Sequence, residues 1–221
     1  EQAGFVRGDA CAVLFHHRER DLSLAVHGDD FTVLGYAKDL DWFRQQIGDK
    51  FTVKFRGRIG PQQSDLKSIR ILNRIVEWTK AGIVYEADQR HAELIIRGMN
   101  LENAKAVKTP EEEVPDWKLD EEEAFLDAAQ STQYRMLAAR ANYLAAERTD
   151  IQYAVKECAR GMANPQKRHH NLMKRLARYL LGRPRMIWKY QWPGREEVQT
   201  YSDSDWAGCK RAARSTSGGV I

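Results

Sequence analysis

Two adjacent carboxylates, Asp29-Asp30, stand at a bend between the apolar runs Leu22-Ser23-Leu24-Ala25-Val26 and Phe31-Thr32-Val33-Leu34, directly after His27-Gly28. Adjacent carboxylates repel, and gathering them costs free energy unless a proton or a cation neutralises them. A hairpin that spends two carboxylates on its tip points to a divalent metal site. The commonest chemistry for such a hairpin is phosphoryl transfer, with metal ions clamping the attacking and leaving oxygens. A second pair of acids, Asp203 and Asp205, ends the strand-like run Val198-Gln199-Thr200-Tyr201-Ser202. Neither pair is specific alone, because Asp favours turns and caps the loops that follow strands. His169-His170 has no partner at metal-ligand spacing and reads as a helix-start pair. Cys11, Cys158 and Cys209 form no CxxC pair or zinc spacing and read as free thiols in a reducing compartment. Trp188, Trp192 and Trp206 lie among basic residues; packing is the plainer role for such rings and base stacking the sharper one.

The net charge of +4 is unevenly distributed. Between Glu111 and Asp127 the acids are opposed only by Lys118, and between Lys156 and Arg195 the bases are opposed only by Glu157. Such segregation points to a polyanionic partner for the second region. Drawn as a helix, that region aligns Lys167, Asn171, Lys174 and Arg178 on one narrow stripe and Leu172, Leu176, Tyr179 and Leu180 roughly opposite. The ridge is either an ordinary solvated face or a row of phosphate contacts. The shortage of compensating acids favours the second. Lys167, Arg168, Lys174, Arg175 and Arg178 are therefore the candidate nucleic-acid-binding residues.

The elements that must position these groups follow from periodicity. Ala12-Val13-Leu14-Phe15, Leu22 to Val26 and Phe31 to Leu34 read as an antiparallel meander with a charged turn at His17-Arg18-Glu19-Arg20-Asp21. Asp39 to Gly48 reads as a short amphipathic helix on Leu40, Phe43 and Ile47, and Phe51-Thr52-Val53-Lys54-Phe55 as another strand. Ile71 to Trp78 and Ile83 to Tyr85 form a hairpin around Lys80-Ala81-Gly82, and Asp88 opens a helix carrying Ala92, Ile95, Ile96 and Met99. Residues 103–131, with Pro110, Pro115 and the acidic run, read as a linker. Three helices follow. The first has the face Tyr134, Leu137, Ala138, Ala141, Leu144 and Ala145. The second has Asp150 as N-cap before Ile151, Ala154, Val155, Cys158 and Met162. The third has Asn164 as N-cap, Pro165 in its first turn, and Gly182 and Pro184 past its end. Ser215-Thr216-Ser217-Gly218-Gly219 reads as a turn. No apolar run approaches the roughly 18 residues of a membrane span. The chain reads as a piece of a longer polypeptide.

In their order, these features resemble the polymerase-to-ribonuclease H portion of a copia-type long-terminal-repeat retrotransposon polyprotein. His27-Gly28-Asp29-Asp30 resembles that family's Tyr-x-Asp-Asp hairpin, Ile71-Leu72-Asn73-Arg74-Ile75 its Phe-Leu-Gly-containing strand, and Thr109-Pro110 the Thr-Pro of its linker. Tyr134-Arg135 through Tyr143-Leu144-Ala145, Thr149-Asp150-Ile151 and Tyr153-Ala154-Val155 match its most recognisable stretch. Asn164-Pro165 with His169, and Lys174-Arg175-Leu176-Ala177-Arg178-Tyr179-Leu180, continue the pattern. Tyr201-Ser202-Asp203-Ser204-Asp205-Trp206-Ala207-Gly208 and Arg214-Ser215-Thr216-Ser217-Gly218 resemble its ribonuclease H opening. His27 stands where the family has tyrosine, Asn73 where it has glycine, and Arg140 and Asn142 where it favours small and apolar residues.

The resemblance implies an α+β fold: a partial polymerase palm with an Asp-Asp hairpin, a helical thumb-like region, and truncated ribonuclease H-like strands. The implied segments are the second half of a palm at 1–102, a linker at 103–131, a thumb or connection at 132–184 and the start of ribonuclease H at 185–221. It implies an RNA-directed DNA polymerase with partial ribonuclease H, using two Mg2+ ions. Asp29 and Asp30 match two of three palm aspartates, the third lying upstream in the family, and Asp203 matches the first ribonuclease H carboxylate. Implied partners are an RNA template, a DNA primer, their RNA–DNA hybrid, a deoxynucleoside triphosphate and the rest of the Pol polyprotein, without a membrane. The implied location is intracellular, in a cytoplasmic particle or the nucleus. Alone, the fragment is expected to be inactive. The alternatives are a non-catalytic nucleic-acid-binding remnant of a decayed element, and another palm-type enzyme such as a nucleotidyl cyclase, which has no use for the basic helices or the Asp203 region.

Overall fold

The computed structural model describes residues 3–112, 124–192, 199–208 and 213–220. The acidic stretch 113–123, Cys209, Lys210 and Arg211 lie outside them. The architecture is α+β, and contacts divide the chain into two units, Glu1–Arg56 and Gly57–Ile221.

The first unit contains the expected meander, preceded by a further short strand and with the strand expected at Ala12–Phe15 running instead from Leu14 to His17. Strands β1 (Val6–Arg7), β2 (Leu14–His17), β3 (Leu22–His27) and β4 (Asp30–Leu34) pair antiparallel in sequence order. Alternation along β3 buries Leu22 and Leu24, which join Phe5, Phe15, Val26 and Val33 under helix α1 (Ala37–Gly48) with its Leu40, Trp42 and Phe43. The chain reverses between β2 and β3 through a 3-10 turn at Arg18–Arg20 that ends with Asp21 in the left-handed region. Arg20 reaches the buried Asp39 carboxylate of α1 at 2.9 Å and lies over the Trp42 ring. The expected strand Phe51–Phe55 does not form. Its alternation is real, but a strand exists only through a ladder, and among the described residues none pairs with it; Phe51, Val53 and Phe55 are exposed.

In the second unit, β5 (Ser68–Ile71), β6 (Arg74–Thr79), β7 (Gly82–Glu86) and β8 (Ile187–Gln191) form an antiparallel sheet in that order. The expected continuous strand from Ile71 to Trp78 is broken. Leu72 and Asn73 have φ of 47° and 65°, the two-residue turn pattern in which both central residues are left-handed. Asn tolerates that conformation better than most side chains, which gives a backbone reason for Asn or Gly at position 73. At Gly82 (φ 151°) a Cβ would lie 1.9 Å from the Tyr190 carbonyl oxygen, so a glycine there lets β8 close on β7.

Four helices share one core: α2 (Arg90–Gly98), α3 (Ala128–Ala145), α4 (Gln152–Arg160) and α5 (Lys167–Gly182). The predicted face of α3 is buried in full, and Ile151, Ala154, Val155 and Cys158 of the α4 region are buried with it. Met173, Leu176, Ala177 and Leu180 are the α5 contribution, and Ala92, Ile95 and Ile96 that of α2. Helix α2, which precedes the expected linker, thus packs in one core with the helices after it. Helix α3 starts at Ala128, inside the stretch read as a linker, on a reciprocal capping box of Asp127 and Gln130. The Asp88 carboxylate accepts the Arg90 N–H at 2.9 Å, as its place before α2 predicted.

Two expected caps are displaced. Asp150 does not cap α4; its carboxylate accepts from Nε and Nη2 of the buried Arg148 guanidinium at 2.8 and 2.7 Å. Asn164 does not cap α5; the helix starts two residues later, on a Gln166–His169 box. Pro165 and Gln166 are instead held by backbone contacts with Phe125 and Leu126. Gly182 is the last residue of α5 rather than the first beyond it. At the C-terminal side, β9 (Tyr201–Ser204) and β10 (Ser217–Val220) form an antiparallel hairpin, so the expected turn at 215–219 is a strand over its second half. Among the described residues no helix is long and apolar enough to cross a membrane. Cys11 and Cys158 are free thiols.

Candidate functional site

The Asp29-Asp30 hairpin is a two-residue turn. His27 and Asp30 are the last paired residues, and Gly28-Asp29 cross between them with Gly28 at φ 62°. A Cβ at Gly28 would meet nothing within 4 Å, so the glycine serves the backbone conformation and not close packing. The pairs Val26–Phe31, Ala25–Thr32 and Leu24–Val33 fix the register behind the tip. His27, Gly28, Asp29 and Asp30 are all exposed. Two hard, solvated carboxylates suit Mg2+, which keeps several waters and takes one or two carboxylates. Among the described residues no three His, Cys, Asp or Glu side chains gather to hold a metal.

Asp203 lies in β9 opposite Gly218 and is exposed, within the second unit. Asp205 has a structural task. Its carboxylate accepts the Thr216 N–H at 2.7 Å and the Gly208 N–H at 3.0 Å, bonds that hold it below the usual carboxylate range. Trp188 and Trp192 donate their indole N–H groups to the Glu147 and Thr79 carbonyls, whereas the Trp206 ring is 96% exposed.

The basic ridge of α5 is split in two. Lys167, Asn171 and Lys174 are exposed along one line, with His170 beside them. Arg175 and Arg178 are half-buried and engage the segment that precedes residue 113. Arg175 donates to Glu112 at 2.9 Å and to the Thr109 hydroxyl at 2.8 Å, and Arg178 donates to the Lys105 carbonyl at 2.7 Å. The Val107 N–H in turn reaches the Arg178 carbonyl. Arg168 meets His169, whose buried ring is held below the usual histidine range by desolvation.

Two charged anchors had no sequence signal. Glu147, at the end of α3, accepts from Arg74 and from the Tyr85 hydroxyl (2.7 Å), and its carbonyl accepts from Trp188. Burial and the Glu147 hydrogen bond push the Tyr85 hydroxyl up to about 12. Glu147 thereby ties β6, β7 and β8 to the helical core. Arg148, 2% exposed, bonds Asp150 and the carbonyls of Arg183 and Pro184, and Tyr179 donates to the same carboxylate. Neither residue repeats or falls on a periodic face, so only the tertiary contacts reveal them.

The chain is 34% identical over 122 residues to the retrovirus-related Pol polyprotein from transposon RE1 of Arabidopsis thaliana, a match covering 55% of this chain and 8% of the polyprotein. It is 31% identical over 135 residues to the corresponding polyprotein from transposon RE2, covering 61% of this chain and 9% of that protein. An uncharacterized mitochondrial protein of the same plant is 26% identical over 196 residues, covering 88% of this chain and 76% of that protein. The chain thus spans less than a tenth of the length of the two transposon polyproteins it matches. No protein-family model matches the chain, and no solved structure matches it significantly. By its motifs, and by these matches over more than half of its length, the chain is a homologue of the retrovirus-related Pol polyproteins of copia-type transposons.

Proposed function

We propose that this chain is a fragment of an RNA-directed DNA polymerase with partial ribonuclease H, carrying the second half of a palm, a thumb-like helical region and the opening hairpin of the nuclease. The observation that carries the reading is the exposed Asp29-Asp30 tip on a tight antiparallel hairpin, in a homologue of transposon Pol polyproteins. Asp29 and Asp30 are the residues that would hold Mg2+ in the palm, and Asp203 is the nuclease carboxylate. Bound Mg2+ supplies charge neutralisation at the phosphate under attack. The two-residue turn makes Asp29 and Asp30 neighbours at the tip, and the ladder from Val26–Phe31 to Ser23–Leu34 sets the register of the strands behind them. The α5 face with Lys167 and Lys174 contributes sequence-independent attraction for the backbone of an RNA–DNA hybrid. The nucleotide, template, primer and remaining Pol segments are the partners of this reading.

Among the described residues no third acid joins Asp29 and Asp30, and two carboxylates hold catalytic metals poorly. The chain alone is therefore expected to give no primer extension with Mg2+, a template–primer hybrid and deoxynucleoside triphosphates. Fused behind the upstream palm segment of a transposon polyprotein, it is expected to extend primers. Asp29→Asn or Asp30→Asn in that fusion should lower the rate by at least about 100-fold, the scale of losing a preorganised electrostatic contact. Full activity in the Asn variants overturns the assignment of Asp29 and Asp30; incorporation by the chain alone overturns its expected inactivity in isolation.

A further inference from the structure

The strap of residues 105–112 lies against α5 through three side-chain contacts and one backbone contact, and these consume the two arginines of the ridge and neither lysine. Arg175 is held in an unusual way. One terminal nitrogen meets a single oxygen of Glu112, the other meets the Thr109 hydroxyl, and the buried Nε has no hydrogen-bond partner among the described residues. A guanidinium fork matches a phosphate or carboxylate with two parallel bonds, and Glu112 supplies only one. Glu112 itself is 73% exposed in its side chain, so its ion pair with Arg175 is of the solvated, easily exchanged kind.

Lys174 adjoins Arg175 in sequence and Lys167 lies two turns back, about 10 Å along the axis, both exposed. A phosphodiester backbone drawn to those lysines passes beside Arg175. Arg178 spends its Nε on the Lys105 carbonyl, and a guanidinium has five N–H donors in all, so this contact does not require Arg178 to leave the strap. Arg175 is different, because its present partner is an acid.

We propose that Glu112 is an intramolecular stand-in for phosphate: it occupies Arg175 in the free chain and is displaced when a nucleic-acid backbone seats on the Lys167–Lys174 face. This rests on the reading of α5 as a hybrid-binding face, and it adds a built-in competitor. The strap lowers affinity for any polyanion and withholds one cation until a backbone is already held by the lysines. Loose, non-specific binding is disfavoured relative to a properly seated duplex.

The test is binding of the whole chain to a short RNA–DNA hybrid over a range of salt concentrations. Glu112→Gln should tighten binding, and Arg175→Gln should weaken it and flatten the slope of log K against log salt by about 0.9, one lost phosphate contact. Arg175→Gln should abolish the Glu112→Gln gain in the double variant, the signature of coupling between the two positions. Lys167→Glu with Lys174→Glu should weaken binding in either background. If those lysine variants weaken binding while Glu112→Gln leaves affinity unchanged, the competitor is wrong and the binding face stands. If the chain shows no salt-dependent affinity for the hybrid, face and competitor fall together.

Discussion

The two units of this chain distribute stability and chemistry in opposite ways. Gly57–Ile221 holds a core of seventeen buried apolar residues among those described, drawn from four helices and the turn before α4, and tied to a four-stranded sheet by Glu147. Glu1–Arg56 has Phe5, Leu22 and Leu24 as its buried apolar centre, with partly covered neighbours around them. Yet the carboxylate pair with the sharpest chemical meaning sits on the thin unit, at an exposed hairpin tip. A hairpin can present charged groups on the strength of ladder bonds and one glycine, so the residues that would do chemistry add little to stability. The thick unit does the reverse. Its charged residues Arg148, Asp150, Glu147 and Arg74 are spent on holding structure.

The largest effect that tests this contrast is truncation in the helical core. Leu176→Ala should cost about 2–5 kcal/mol through lost burial and a residual cavity, since Leu176 is fully buried among α2, α4 and α5. Chemical denaturation followed by helical circular dichroism measures it. Leu22→Ala should spare that transition and loosen only the meander, read by amide exchange in Leu22–Leu34. Loss of both units together in either variant would erase the distinction.

Next in size is the buried ion pair. Asp150→Asn leaves the Arg148 guanidinium buried beside neutral groups and should cost about 3 kcal/mol, the scale for breaking a buried pair from one side. Burial alone would raise the Asp150 carboxyl, but the hydrogen bonds and charge of Arg148 prevail and hold it below its ordinary 3.8. Its contribution is therefore present above that value and is lost as pH falls through the lower folded value. Acid titration of stability should show that loss in the parent and not in the Asn variant.

The smallest effect lies on the strap. Burial, and then the facing Glu157 carboxylate, push Glu111 up to about 7, with Lys156 pulling the other way. A raised acid favours the docked strap while neutral, so this contribution is complete below the ordinary 4.5 and is lost as pH rises through about 7. Solvent screening of a half-exposed group keeps it under about 1 kcal/mol. Glu111→Gln should flatten the pH dependence of amide exchange at Val107, whose N–H reaches α5; an unchanged profile would remove Glu111 from the account.

Period-two and period-3.6 patterns made most of the elements legible, because burial on one face writes itself into the residue order. The α3 face from Tyr134 to Ala145 and the meander around Leu22 and Leu24 are of this kind. Phe51–Phe55 has the same alternation without a partner strand, and partners are not encoded locally. Leu72 and Asn73 break a run that reads as continuous, since an apolar residue at positive φ gives no turn signal. Asp150 and Asn164 look like caps by type, but Arg148 claims the first and the Gln166–His169 box replaces the second. At the site, the Asp29-Asp30 tip was legible from the paired acids between apolar runs. The division of the α5 ridge between exposed lysines and strapped arginines was not, because helical geometry shows where a side chain emerges and not what chain crosses over it.

The pairing of Ile83 with Tyr190 sets a timetable for synthesis. Strand β7 leaves the ribosome well before its neighbour β8, and all the residues of α3, α4 and α5 must be made in between. Until then one side of Gly82–Glu86 offers unpaired amides and carbonyls to any extended chain nearby, a known route to aggregation. Closing so long a loop also carries an entropic cost that local helix formation does not. The helices can collapse first and bring Ile187 close to its place, so the order in which the chain is made favours a nascent bundle that shepherds the fourth strand of its sheet home.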